Sequence, residues 1–312
     1  MATVRRDFFL DPVDRLTEQE RALMLAMLGD FVAGLAAEIA AAANSGFAMP
    51  DLAPVTAALT SSGQLDRPGL VSLMLRRADE HRIAVAFAGP GGPRALPMLS
   101  RLVGDSDPAV AAAAMALVVA RGRRRDGFGQ PRIELSDLDP ADVAPLVHAV
   151  AAALSPSGVA EARFAAAAAN IATAACPADS LDQAVASLAD ALVRSDRDSE
   201  RLIEDSSGEG EAALAAHLIA RRSGITPQAA WDHLLDAGEG GLALLARMAG
   251  LSRKAAARLI ADFGSTIGTA SVEDEMARFD GLEDEEVAAQ LAHWRLPRDF
   301  RIARTLLGYA HG

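Results

Sequence analysis

The sequence predicts an all-α protein of stacked helical hairpins, a HEAT-like α-solenoid with an N-terminal helical bundle, on three grounds: its core composition, its helix start and stop signals, and an internal repeat. Apolar residues make up 51% of the chain but aromatics only 4%, with one Tyr and two Trp, so Ala, Leu, Val and Ile must fill the interior. Alanine is the best helix former and lets helix axes approach closely, whereas sheets draw on more aromatic and β-branched side chains. A chain of 312 residues buries about three quarters of the surface its unfolded form exposes and needs no metal or disulfide staple.

The helix signals run in order. Thr17 and Glu20 stand in capping-box spacing and open a helix from Glu18 to about Asn44, which Gly46 and Pro50 end. A second helix runs from about Asp51 to Gly63. Asp66 and Pro68 open a third, which carries Leu70, Leu73, Met74, Ile83 and Val85 and stops at Gly89. Gly89-Pro-Gly-Gly-Pro93 is the strongest break in the chain, because glycine frees the backbone and proline removes donors. It divides an N-terminal helical region, 1–92, from a hairpin-repeat region, 93–312.

Beyond the break, Asp107-Pro108 leads into an alanine-rich run ending at Ala120, and Gly158-Val159-Ala160 leads into another. Each reads as the second helix of a HEAT-type pair. Asp137 to Pro140 caps a helix carrying Val143, Leu146 and Val150. Ala220-Arg221-x-x-Gly224-Ile225-Thr226 then recurs as Ala246-Arg247-x-x-Gly250-Leu251-Ser252, and more weakly as Ala277-Arg278-x-x-Gly281-Leu282. The pattern describes a helix, a left-handed glycine cap, a hydrophobic contact, and a Ser or Thr that caps the next helix.

The second copy also meets the template of a DNA-binding helix-turn-helix at 240–264, with Arg253, Lys254 and Arg258 available to phosphates or base edges. An ordinary αα-hairpin needs the same glycine and apolar residues, and the flanks Glu273 to Glu275 and Glu283 to Glu286 are acidic. A net charge of −12, from 30 basic and 42 acidic residues, repels polyphosphate and anionic membranes at long range, so a nucleic-acid partner is not expected without a local basic patch. The densest such patch is Arg121, Arg123, Arg124 and Arg125, after the end of a predicted helix, where positive charge suits the helix dipole. It is read as a solvated loop or a contact for an acidic partner or a nucleic acid. Trp231 and Trp294 sit in amphipathic segments, as core residues or, if exposed, anchors for a partner helix.

No Gly-x-Ser-x-Gly elbow, catalytic carboxylate pair or HExxH motif is present, so no enzyme, cofactor or metal site is expected. The lone Cys176 lies in an apolar run and is expected to be buried and inert. Asp196, Asp198, Glu200, Glu204 and Asp205 with Ser206-Ser207-Gly208 read as a flexible linker or solvated helix end. No signal peptide is evident, and the apolar run Pro108 to Ala120 is too short to span a bilayer. A cytoplasmic protein is expected.

Arg6-Asp7-Phe8-Phe9-Leu10, then Arg15 to Leu23 and the long helix to Ile39, with Gly250-Leu251-Ser252 between two alanine-rich helices, resembles the DUF2336 family of alphaproteobacterial proteins. The resemblance covers most of the chain through structural rather than catalytic motifs. It implies a bacterial cytoplasmic protein of unknown function with a HEAT-like helical fold, and it carries over no active-site residue. The expectation is a non-catalytic scaffold or regulator that binds another protein, with a homodimer contact through Gly29 and Gly34 as a further candidate. The alternative is a DNA-binding regulator acting through 240–264.

Overall fold

A computed structural model of the chain describes residues 17–43, 51–88, 97–155, 159–195, 197, 199–235, 240–267 and 271–308. The opening motif Arg6 to Leu10, the breakers Gly46 and Pro50, the Gly89–Pro93 break and Gly158 lie outside them. Among the described residues the protein is all-helical, with sixteen α-helices and no strand; two backbone segments meet only in an isolated bridge, Arg125 with Pro131.

The chain divides into two compact units, each assembled from two stretches: residues 1–81 with 118–184, and 82–117 with 185–312. This differs from a sequential division at residue 92, because the chain passes between units within helices rather than at the glycine-proline break.

Unit 1 is built on α1 (Glu18–Ala42), α2 (Leu52–Ser61), the first part of α3 (Pro68–Ala88), the end of α5 (Pro108–Arg123), α6 (Pro140–Leu154) and α7 (Val159–Ala174). The capping box that starts α1 is formed: Glu20 N donates to Thr17 Oγ1 at 3.2 Å, and Thr17 N donates to Glu20 Oε2 at 2.8 Å. Asp51 and Asp139 accept from Ala53 N and Ala141 N and start α2 and α6 in the same way. Helix α1 packs against α2, α6 and α7. Its Met27, Phe31, Val32, Leu35, Ala36 and Ile39 enter a core shared with Leu70 and Leu73 of α3 and Leu146, Val147 and Val150 of α6. By length and composition α1 is also apolar enough to cross a membrane, although that apolar stripe is already committed to the core.

Unit 2 contains the end of α3, α4 (Met98–Val103), most of α5, most of α8 (Leu181–Arg194), and α9 (Ser199–Gly208), α10 (Ala212–Ser223), α11 (Pro227–Leu234), α12 (Gly241–Met248), α13 (Arg253–Ile267), α14 (Val272–Gly281), α15 (Asp284–Trp294) and α16 (Arg298–Leu306). Helix α12 is central, packing on α10, α11, α13, α14 and α15. Of the predicted α3 residues in this unit, Ile83 is fully buried, whereas Val85 is 58% exposed.

The repeat forms as predicted in its first two copies. Gly224 and Gly250 have φ of 73° and 61°, the left-handed region where only glycine avoids strain. Gly250 N donates to Arg247 O at 2.9 Å and Leu251 N to Ala246 O at 3.0 Å, the paired bonds of a Schellman cap. Ile225 and Leu251 are buried beside their glycines, and Thr226 and Ser252 each accept from the backbone N three residues on, both at 3.2 Å. The third copy fails: Gly281 is the last residue of α14, has no positive φ, and Leu282 ends the helix in extended backbone. A Cβ added at Gly250 meets nothing within 4 Å, so Gly250→Ala carries the conformational penalty alone. It is expected to lower stability by about 1–2 kcal/mol, read as a lower urea midpoint at unchanged m-value.

The acidic stretch, expected to be a flexible linker or a solvated helix end, is α9 in its larger part. Leu202, Ile203, Ser206 and Ser207 are buried there, with Ser207 Oγ donating to Asp262 Oδ2 at 2.8 Å. Leu202, Ile203 and Ser206-Ser207 share one helical face three and four residues apart, and that face packs on α13, where Glu200 and Glu204 also find partners in Ser252 and Arg258. Asp196 and Asp198 lie outside the described residues.

Candidate partner-binding surfaces

The four arginines of the basic patch have different environments. Arg121 and Arg123 sit in the last turn of α5, and Arg123 and Arg125 are exposed. Arg124, by contrast, is 2% exposed. Its Nε donates to both oxygens of Asp137 at 2.9 and 2.7 Å, and Nη2 donates to Ser136 Oγ and Asp179 O. It is therefore a structural residue of unit 1 and unavailable to a partner. Sequence adjacency hides this, because its partners Ser136, Asp137 and Asp179 lie 12 to 55 residues away.

The chain leaves Arg124 in a hydrogen-bonded hairpin. Arg132 N donates to Arg124 O at 2.9 Å, and Asp126 N to Gln130 O at 3.0 Å. Asp126 Oδ1 accepts from Phe128 N and Gln130 N, both at 2.8 Å, and Gly129 turns the chain at φ 80°. At the tip Phe128 is 92% exposed. An ordered loop thus presents an aromatic ring to solvent beside the exposed Arg123 and Arg125. His81 lies near, with its imidazole held below its ordinary pKa by burial and by Arg125.

Beside this loop runs a groove of about 430 Å³ lined by the apolar Phe31, Leu35 and Ile171, by Arg123 and Arg132, and by the carboxylates of Asp30, Glu38, Glu134 and Asp179. Cys176 also lines it and is exposed, not buried as its apolar neighbours suggest. Helix α7 stops at Ala174, so the thiol falls past the helix end, where the periodicity that would bury it no longer applies. Gly29 and Gly34 are exposed on α1 with nothing within 4 Å of where a Cβ would stand.

Trp231 is 5% exposed and belongs to the core of unit 2, which removes it as a partner anchor. Trp294 is half-buried, with His233 edge-on at 4.4 Å and the Arg301 guanidinium 4.3 Å over its ring.

The helix-turn-helix candidate corresponds to α12, its Gly250 turn and α13. Arg253 makes a bidentate pair with Asp280 at 2.9 Å, and Arg258 pairs with Glu204 at 2.7 Å; Lys254 is exposed. The hydrogen bond from Arg253 holds the Asp280 carboxyl below its usual range. The N-terminus of α13 would have to face phosphate in a recognition helix. It faces Glu200 instead, whose carboxylate accepts from Ser252 N at 2.9 Å and Ser252 Oγ at 2.5 Å. Arg222 meanwhile covers the carbonyls of Ala249 and Gly250 that end α12. Asp262, on α13, is held above the usual carboxylate range by burial, partly offset by Ser207 and Arg258.

Among the described residues no group of three or more His, Cys, Asp or Glu side chains is placed to hold a metal ion. No curated protein and no solved structure matches the chain. A family model does, over residues 93–293, a span that takes in the Phe128 hairpin and both glycine-capped repeats. The chain belongs to the family described as uncharacterised protein conserved in bacteria, DUF2336.

Proposed function

We propose that this is a non-catalytic protein-interaction module, cytoplasmic, whose partner is another protein engaged through the Asp126–Gln130 hairpin. The observation that carries the reading is Phe128, 92% exposed on a loop that its own hydrogen bonds hold in place. Aromatic and arginine side chains dominate interface energetics, and a loop ordered before binding loses little entropy on docking. The flanking Arg123 and Arg125 favour a pocket rimmed with carboxylates.

A finer architecture belongs to the same proposal. The tandem glycine-capped units α10–α11 and α12–α13 are the hairpins of a HEAT-like repeat, supported by the matching left-handed glycines and buried residues after them. Helix α9 packs on α13 as well as on α10, so that stack is closed on one side rather than open-ended. DNA binding through α13 is the weaker reading: Arg253 and Arg258 already have carboxylate partners, and Glu200 covers the helix N-terminus.

Affinity capture from a bacterial cytoplasm that expresses the protein, followed by mass spectrometry, tests the proposal. Wild type is expected to recover one protein at near-stoichiometric level. Phe128→Ser is expected to lose it while its unfolding free energy stays within about 0.5 kcal/mol of wild type. Recovery unchanged by Phe128→Ser, or no specific protein with wild type, overturns the assignment.

A further inference from the structure

A surface helix normally buries its apolar stripe, and α16 does not. Phe300, Ile302, Ala303, Leu306 and Leu307 fill one arc of its helical wheel, while Arg298, Arg301, Arg304 and Thr305 fill the other. Asp299, in the first turn, is the one charge within the apolar arc. No residue of the helix is buried. Phe300 is 51% exposed, Ile302 44%, Leu306 82% and Leu307 72%. One contact with its own unit comes from the polar arc, through Arg301 over the Trp294 ring. The apolar arc is left facing solvent.

Helix α15, in the same unit, supplies the complementary surface. Ala288, Ala289 and Ala292 are exposed on one side of it, and its first turn carries Asp284, Glu285 and Glu286, also exposed. We propose that α16 of one copy packs its apolar arc across the alanine face of α15 in a second copy, and reciprocally, giving a two-fold dimer with arginines beside Glu285 and Glu286.

Charge selects this arrangement over its competitors. Two α16 helices facing each other set arginine against arginine, since the helix carries three Arg and one Asp. An anionic lipid surface meets a chain of net charge −12, which repels it at long range. The acidic first turn of α15 has the sign that α16 needs. Size agrees as well. The four large side chains expose on the order of 400 Å² per helix, and two reciprocal contacts, each covering an equal area of the facing copy, bury on the order of 1,600 Å², the extent of a standard stable interface.

Sedimentation velocity of the full chain at micromolar concentration is the test. Wild type is expected to sediment as a dimer. Leu306→Glu with Leu307→Glu, and separately Glu285→Arg with Glu286→Arg, are each expected to raise the dimer dissociation constant more than about 100-fold, with unchanged far-UV circular dichroism. In a Cys176→Ser background, an Ala303→Cys chain mixed with an Ala288→Cys chain is expected to form an interchain disulfide under mild oxidant. A monomeric wild type overturns the proposal. So does a dimer that survives both pairs of substitutions, which places the contact elsewhere, for example on α1. A monomer that co-sediments with vesicles containing phosphatidylglycerol, and loses them with Leu306→Glu and Leu307→Glu, assigns the arc to lipid and also overturns it.

Discussion

Asp137→Ala is expected to lower the unfolding free energy by about 3–5 kcal/mol, because it removes the buried carboxylate that Arg124 and Arg77 share. Asp137 has no exposed side-chain surface and receives hydrogen bonds from three directions. Arg124 Nε reaches both oxygens, Leu181 N donates to Oδ1 at 2.9 Å, and Glu134 N donates to Oδ2 at 3.0 Å. Arg77, itself 3% exposed, lies 3.9 Å away and is shared with Glu80 and Asp182. Burial pulls the Arg77 guanidinium towards its neutral form, and these three carboxylates outweigh that pull, so its pKa is raised above the ordinary arginine value. Removing Asp137 leaves Arg124 with Glu134, at 3.1 Å, as its remaining carboxylate, and takes the acceptor from the backbone donors of Leu181 and Glu134 together. Urea denaturation of Arg124→Met, Asp137→Ala and the double variant is expected to be strongly non-additive, the double costing less than the sum of the singles. Additive losses within about 0.5 kcal/mol would show that the pair does not act as a unit.

That network explains what the sequence conceals. An arginine run after a helix looks like a solvated cluster, and for Arg123 and Arg125 that reading is right. Arg124 differs through Glu134, Asp137, Ser136 and Asp179 O, brought in at two short 3₁₀ turns, Leu135–Asp137 and Pro177–Asp179. Local signals say nothing about such long-range pairing. Where the determinant is local, legibility is high: the Thr17–Glu20 box, the Asp51 and Asp139 caps, and the glycines at 224 and 250 all act within about five residues. The third repeat fails because its glycine is not followed by a left-handed turn. Its seventh residue is Glu283, which makes no side-chain cap where Thr226 and Ser252 do, and its backbone is extended at Leu282.

The candidate surfaces divide the same way. Phe128 is flanked by Asp126 and Gly129, turn formers whose spacing announces a tight loop, so the hairpin could be found from sequence by asking where the lone aromatic in a polar stretch sits. The exposed apolar arc of α16 could not. Its amphipathic pattern is plain, but a pattern gives the width of an apolar arc and not the direction it faces. That direction is fixed by Arg301 over Trp294, and a cation over an indole is a tertiary contact.

Phe263→Ala is expected to cost about 3–5 kcal/mol, the usual range for truncating a fully buried phenylalanine. Phe263 has no exposed surface and lies on α13, the helix that packs against α9, α12 and α14. Its ring stands 6.1 Å from that of Phe87, centroid to centroid. Phe87 is in turn held against Gly210, where φ is 70° and an added Cβ would stand 2.7 Å from the ring. The site therefore cannot collapse freely: the glycine sets the backbone close under Phe87, and Phe87 is the neighbour that would have to move into the vacated volume. A rigid surround preserves the cavity, and cavity volume adds to the lost transfer energy. Phe263→Leu, which keeps most of the volume, is expected to lose less than half as much. The same residue type at position 128 gives the control, since truncating a ring that is 92% exposed removes almost no buried contact and stays within about 0.5 kcal/mol of wild type. If Phe263→Ala and Phe128→Ala shifted the urea midpoint equally, the burial assigned to α13 would be wrong. That result would also remove the support that α13 gives to the Glu200 and Glu204 contacts at its exposed start.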